Sequence, residues 1–154
     1  MTILLLRHAH AGDRSRWEGD DRARPLTERG VNQAQGLVST YDGRAIDRIL
    51  TSPWTRCVQT VEPLAAALHL DVEVEDALGE GTPLDVAQRL LRRPRDATTV
   101  MCTHGDVLAA LLTDLAHRGV ARADGLRWQK GSTWVLEPGE GGAIAHAAYL
   151  PPPA

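Results

Sequence analysis

Four side chains in this 154-residue chain are of the types that bind and attack an oxyanion, and each falls where a strand gives way to a helix. Arg7 and His8 follow the apolar run Thr2-Ile3-Leu4-Leu5-Leu6, and His104 follows the β-branched run from Thr98 to Cys102. Arg56 falls in the first turn of a helix announced by Ser52-Pro53. A guanidinium presents a fork of N–H donors that matches phosphate oxygens. A neutral imidazole is available as a nucleophile near pH 7, whereas a serine would need a separate activating base. Helix starts at Arg56 and Gly105 add backbone N–H groups and a favourable dipole for an anion. Phosphoryl transfer needs mainly charge stabilisation and in-line positioning, which two arginines and a second histidine can supply without a metal. A leaving alkoxide would still need a proton, for which Glu80, on the loop after the third strand, is the best-placed acid; Asp13, Asp85 and Asp106 are weaker candidates.

This convergence depends on the elements that carry it. Thr2–Leu6, Ile46–Thr51, Asp71–Val74 and Thr98–Cys102 read as strands, with Gly131–Leu136 and Ala143–Leu150 closing the fold. Between them, Thr27 caps a helix marked by Val31, Ala34, Val38 and Tyr41. Ser52-Pro53 provides an N-cap and first-turn proline for a helix with Trp54, Val58, Val61 and Leu68 on its buried side. A kink or restart is expected at Pro63. Asp85–Leu91 is a short helix stopped by Arg92-Arg93-Pro94, and Gly105–His117 another. Alternating strands and helices predict an α/β class: a three-layer α/β/α sandwich around a mostly parallel sheet, with ligands at the C-terminal strand edges. Residues 9–26 are a long polar loop, and 75–83 a shorter one. On the long loop, Arg14, Arg16, Arg22 and Arg24 form a charge run read mainly as solvated, with Arg24 placed beside Arg7, Arg56 and Gly105 among the substrate-binding residues. Trp17 is a candidate cover for the pocket.

The length suits a single domain over residues 1–150, with Pro151-Pro152-Pro153 and Ala154 as an exposed tail. Hydrophobic and charged fractions of 43% and 24% place the chain among globular proteins rather than disordered ones. A net charge of −3 offers no global attraction to nucleic acid or to an anionic membrane, so neither is expected as a partner. No segment approaches the roughly 20 apolar residues of a membrane helix, and the N-terminus lacks a secretory pattern, which predicts a cytoplasmic protein. Cys57 and Cys102 read as free core thiols. His8-x-His10 with His104 and Asp106 could be drawn as a metal site, but the nearby arginines would repel a cation, and no metal or other cofactor is expected.

The motifs around these residues resemble the histidine phosphatase superfamily, its phosphoglycerate-mutase-like branch included. Arg7-His8-Ala9 matches the Arg-His-Gly/Ala signature. Pro25-Leu26-Thr27-Glu28-Arg29-Gly30 with Gln33-Ala34 is similar to the family's Leu-Thr-x-x-Gly-x-x-Gln-Ala helix start. Thr51-Ser52-Pro53 with Arg56 and Gln59-Thr60 resembles its Ser-Pro-x-x-Arg-x-x-Gln-Thr segment, and Thr103-His104-Gly105 its second histidine motif. Within the superfamily the chain is similar to the small SixA-type phosphohistidine phosphatases. Ser132-Thr133-Trp134-Val135-Leu136 also resembles the phosphatase domain found after a Nudix domain in some actinobacterial proteins. Ala77-Leu78-Gly79-Glu80 is similar to the acid motif of the mutase and bisphosphatase branches.

The resemblance implies a metal-independent phosphatase acting on a phosphomonoester or a protein phosphohistidine. His8 would be the phosphorylated nucleophile, Arg7, Arg56 and His104 would hold the phosphoryl oxygens, and Glu80 would be the acid. The partners implied are a phosphorylated protein or a small phosphorylated molecule. The alternatives are a non-catalytic phosphate-binding module and a nucleotide-directed phosphatase of the Nudix-associated type.

Overall fold

In the computed structural model, which describes residues 1–93 and 96–154, the strands β1 (Ile3–Arg7), β2 (Ile46–Thr51), β3 (Val72–Val74), β4 (Thr98–Thr103), β5 (Thr133–Pro138) and β6 (Ile144–Leu150) form one sheet. Their spatial order is β3-β2-β4-β1-β5-β6. The first four are mutually parallel, and β5 and β6 are antiparallel additions at one side. Helices α1 (Glu28–Thr40) and α2 (Thr55–Leu68) cover one face, and α3 (Leu84–Arg92) and α4 (Gly105–His117) the other.

Side-chain alternation assigns the core residues to the two faces. Leu4 and Leu6 of β1, with Val100 and Cys102 of β4, pack under α1 and α2 against Leu37, Tyr41, Val61 and Leu64. Ile3, Leu5 and Met101 pack under α3 and α4 against Leu90, Leu108, Leu111 and Leu112. A strand buried on both faces reads as an unbroken apolar run, as in Ile3-Leu4-Leu5-Leu6. Both cysteines are free and buried.

Several sequence expectations change in detail. The buried stripe of α1 runs through Gly30, Gln33, Ala34 and Leu37 to Tyr41, while Val31 faces solvent. In α2 the inward residues are Arg56, Cys57, Thr60, Val61, Leu64 and Ala65; Trp54 and Val58 are half-buried and Leu68 is exposed. Apolar spacing placed Ala34, Tyr41 and Val61 correctly but missed much of both stripes, because polar side chains that hold the site take inward positions on these helices. The N-cap of α2 is Trp54 rather than Ser52, and the helix runs through Pro63 without a restart. The long loop contains two single 3-10 turns, Arg14–Arg16 and Asp21–Ala23, each capped by the aspartate before it. The expected stop at Pro94 lies outside the described residues; α3 ends at Arg92. In the tail, Pro151 and Ala154 are exposed, but Pro152 and Pro153 are half-buried. Pro153 sits so close over Gly36 that a Cβ there would lie 2.6 Å from it. Among the described residues no helix is long and apolar enough to cross a membrane.

Candidate functional site

β1 and β4 are neighbours, yet the chain leaves β1 toward α1 on one face and leaves β4 into α4 on the other. Ligands of open α/β sheets bind in the crevice that such a divergence opens. Here it is an open cavity of about 830 Å³, lined by Arg7, His8, Arg24, Arg56, Glu80, His104 and Gly105 among others. The expected site residues are therefore brought together.

His8 directly follows β1, and its backbone N–H extends the sheet by donating to the Thr103 carbonyl at 3.0 Å. The residue is 5% exposed. Nδ1 lies 2.8 Å from the carbonyl oxygen of Ala9, which can only accept, so Nδ1 carries the proton and Nε2 keeps its lone pair. Burial pushes the imidazole well below its usual pKa. The Ala9 hydrogen bond opposes that shift, while His104, Arg56 and Arg7 add to it. A neutral ring with Nε2 bare is the form that attacks an electrophile.

Arg7 donates from Nη1 to the Trp128 carbonyl at 2.6 Å, and its guanidinium lies across the start of α4. A Cβ on Gly105 would come within 2.7 Å of it, so the glycine is what admits the charge there. Arg56, 1% exposed, reaches through α2 to the Asp21 carbonyl at 2.8 Å and carboxylate at 3.1 Å. His104 is also 1% exposed, and its ring stands 5.5 Å, centroid to centroid, from that of His8. Its Nε2 lies 2.8 Å from Ser52 Oγ and 3.5 Å from Cys57 Sγ. Ser52 Oγ also accepts from the Trp54 N–H, and where it gives its own proton to Nε2 the ring proton of His104 lies on Nδ1.

Buried polar groups are normally paired, so those left over mark where a ligand belongs. Among the described residues, the buried side-chain N and O atoms without a partner are Arg7 Nε, Arg56 Nε, His104 Nδ1 and Thr99 Oγ1. All except the Thr99 hydroxyl belong to residues lining this cavity, and all three are nitrogens suited to donate to an anion.

The remaining candidates are placed less uniformly. Glu80 pairs with Arg14 and lies 3.6 Å from Arg56 Nη2, at the cavity rim. Asp13 and Asp106 also line the cavity, Asp106 accepting from the Gly81 N–H at 2.8 Å, whereas Asp85 is exposed, pairs with Arg89 and does not line it. Arg24 is buried, with Nη1 on the Ala11 carbonyl and Nε on Asp21; its donors serve mainly to shape the loop. Trp17 is 38% exposed, binds the Asp20 carbonyl and does not line the main cavity. His10 turns its Nδ1 to Thr27 Oγ1, and the described residues contain no cluster of three or more metal-ligating side chains.

Four supporting residues were not assigned these roles from the sequence. Ser52, read there as a helix cap, orients His104. Asp21 ties Arg14, Arg24 and Arg56 together. Thr60 Oγ1 accepts from the Ala9 N–H at 2.9 Å, and Gln33 Oε1 from the His10 N–H at 2.9 Å. Gln33 and Thr60 belong to motifs whose spacing is visible in the sequence, but Asp21 is one of several acids on a polar loop and carries no such signal.

The family model described as Histidine phosphatase superfamily (branch 1) matches residues 3–82. The 8-oxo-(d)GTP phosphatase of Mycolicibacterium smegmatis is 38% identical over 99% of this chain and 48% of its own length. The phosphohistidine phosphatase SixA of Escherichia coli is 33% identical over 54% of this chain and 50% of its own. The chain thus spans about half the length of these curated relatives. Among solved structures, the protein histidine phosphatase SixA complexed with tungstate shares the fold with a TM-score of 0.78 at 19% identity, covering 100% of this chain and 97% of that one.

Proposed function

The chain belongs to the histidine phosphatase superfamily, branch 1, and on that premise we propose that it is a phosphatase acting through a phosphohistidine on His8. The observation that carries this reading is the set of three unpartnered buried nitrogens on Arg7, Arg56 and His104 around a neutral His8. Nε2 of His8 attacks phosphorus in line, forming the N–P bond as the P–O bond to the leaving group breaks. Arg7, Arg56 and His104 take the equatorial oxygens. Glu80 protonates the leaving oxygen, and in the second half it takes a proton from the water that hydrolyses the phosphohistidine. The chain's own cations thus supply the charge stabilisation that a metal could otherwise provide, so the reaction needs no metal.

A SixA structure that shares this fold is complexed with tungstate, an oxyanion, and an open cavity in this chain suits a protein phosphohistidine or another bulky phosphate carrier. If the leaving group is an imidazole it needs less help, and Glu80 matters little. Similarity to the M. smegmatis 8-oxo-(d)GTP phosphatase favours a nucleotide as the second reading of the substrate.

Mixing the protein with 32P-labelled substrates from each class, followed by quenching in base, tests the reading. The expected result is an acid-labile phosphoryl group on His8 that is absent from His8→Ala, and the fastest-labelling class names the carrier. A protein that binds phosphate yet never becomes labelled is a binding module.

A further inference from the structure

A second basic cavity adjoins the first. It encloses about 260 Å³, is lined by His10, Arg29, Gln33, Gln129, Lys130 and Pro152, and shares His10 and Lys130 with the main cavity. No carboxylate lines it, and among the described residues neither Arg29 nor Lys130 takes part in an ion pair. Some arginines on this surface are paired, as Arg14 is with Glu80 and Arg48 with Glu73. Like charges brought together are unfavourable; Asp13, which lines the main cavity, offsets part of this one at Lys130, and an anionic ligand would offset the rest.

The frame that holds these groups is tied to the end of β1, where Arg7 leads into His8. Gly131, with φ at +82°, donates its N–H to the carbonyls of both Arg7 and His8 at 3.1 Å, which fixes the residue beside Lys130. Gln33 accepts from the His10 N–H at 2.9 Å and donates to the Lys130 carbonyl at 3.5 Å. Arg29 lies one helical turn before Gln33 on α1. Thr27 has one hydroxyl proton, which goes to the His10 carbonyl, so it accepts from His10 Nδ1–H and leaves Nε2 of that ring unassigned. Burial lowers the Lys130 pKa, and Arg7, Arg24 and Arg29 lower it further against the opposing pull of Asp13.

We propose that this cavity is a subsite for a second phosphate of a small-molecule substrate, held by Lys130, Arg29 and His10 while the first phosphate meets His8. The inference rests on the phosphatase reading above. With an anhydride substrate, the bond between the terminal phosphorus and the bridging oxygen breaks, and that oxygen keeps its electron pair on the retained phosphate. Such a leaving group needs no proton at neutral pH. A bisphosphate on separate carbons would use the same subsite but would still require Glu80.

The test compares kcat/KM for a nucleoside diphosphate against its monophosphate, and for a sugar bisphosphate against its monophosphate, with p-nitrophenyl phosphate as the single-phosphate reference. The expected result is a preference of about tenfold or more for the doubly phosphorylated member of one pair, with the pair showing it naming the source. Arg29→Ala should cut that preference about fivefold and leave p-nitrophenyl phosphate turnover unchanged. Equal rates within both pairs, fastest turnover of a phosphohistidine protein, or an Arg29→Ala loss shared by p-nitrophenyl phosphate would each overturn the subsite. Calorimetric binding of pyrophosphate and of phosphate to His8→Ala separates this inference from the phosphatase reading. Tighter pyrophosphate binding that Arg29→Ala abolishes supports the subsite even if no turnover is found, and indistinguishable affinities overturn it.

Discussion

The floor and the rim of the main cavity are built in opposite ways. On the floor, His8, Arg56 and His104 are almost wholly buried and sit at the ends of strands or in a helix turn, and each is fixed by a carbonyl, carboxylate or hydroxyl partner. On the rim, Arg14 and Glu80 are held by one another on surface segments, and Asp21 gathers Arg14, Arg24 and Arg56 from a single 3-10 turn. Buried groups with fixed partners keep their geometry before a ligand arrives, while solvated ion pairs are worth little and can rearrange. The floor therefore suits bond making, and the rim suits adapting to the carrier.

Substitutions can break that contrast. Arg56→Ala should lower kcat/KM by about 10² to 10³, as removal of a preorganised anion donor does, and steady-state kinetics on any accepted substrate would show it. A loss under tenfold would make Arg56 structural. Ser52→Ala should cost about tenfold in kcat with little change in KM, because it frees the His104 ring without removing it. An unchanged kcat would mean that Cys57 alone holds the ring.

The floor also predicts a stability signature. Burial, chiefly, depresses the His8 pKa, so below the ordinary imidazole value of about 6.5 the unfolded chain binds a proton that the folded one does not. This contribution is complete above that pH. It is lost as pH falls from there toward the depressed folded value, at up to about 1.4 kcal/mol per pH unit. Urea denaturation across this range should show the slope in the native sequence and a shallower one in His8→Ala. The smallest effect belongs to the rim: Arg14→Ala should alter kcat/KM by no more than about threefold, differently for different carriers, and leave thermal stability unchanged.

The same division explains what could be read beforehand. Arg7, His8 and His104 were legible because a strand edge is visible as an apolar run that stops, and parallel topology makes such edges converge. The sheet and its flanking layers followed from the same alternation. The inward faces of α1 and α2 were legible only in part, at Ala34, Tyr41 and Val61, since Gln33, Arg56 and Thr60 occupy positions that hydrophobic spacing assigns to solvent. Ser52 looked like a cap because a serine before a proline usually is one, and only the fold shows His104 beside it. Arg24 and Asp21 belong to a loop whose turns are capped locally but whose place over the site comes from the long-range pairing of Asp21 with Arg56.

The bond between His8 Nδ1 and the carbonyl of the next residue reaches beyond electrostatics. Phosphohistidine exists as two constitutional isomers, and a ring whose near nitrogen is occupied by its own main chain can carry phosphorus only on the far one. The lock spans adjacent residues, and Gln33 and Thr60 fix the peptides on either side of Ala9 that aim its carbonyl. For the proposed chemistry, the regiochemistry of the intermediate is thus written into one peptide unit, and 31P NMR of the trapped adduct should show a single isomer.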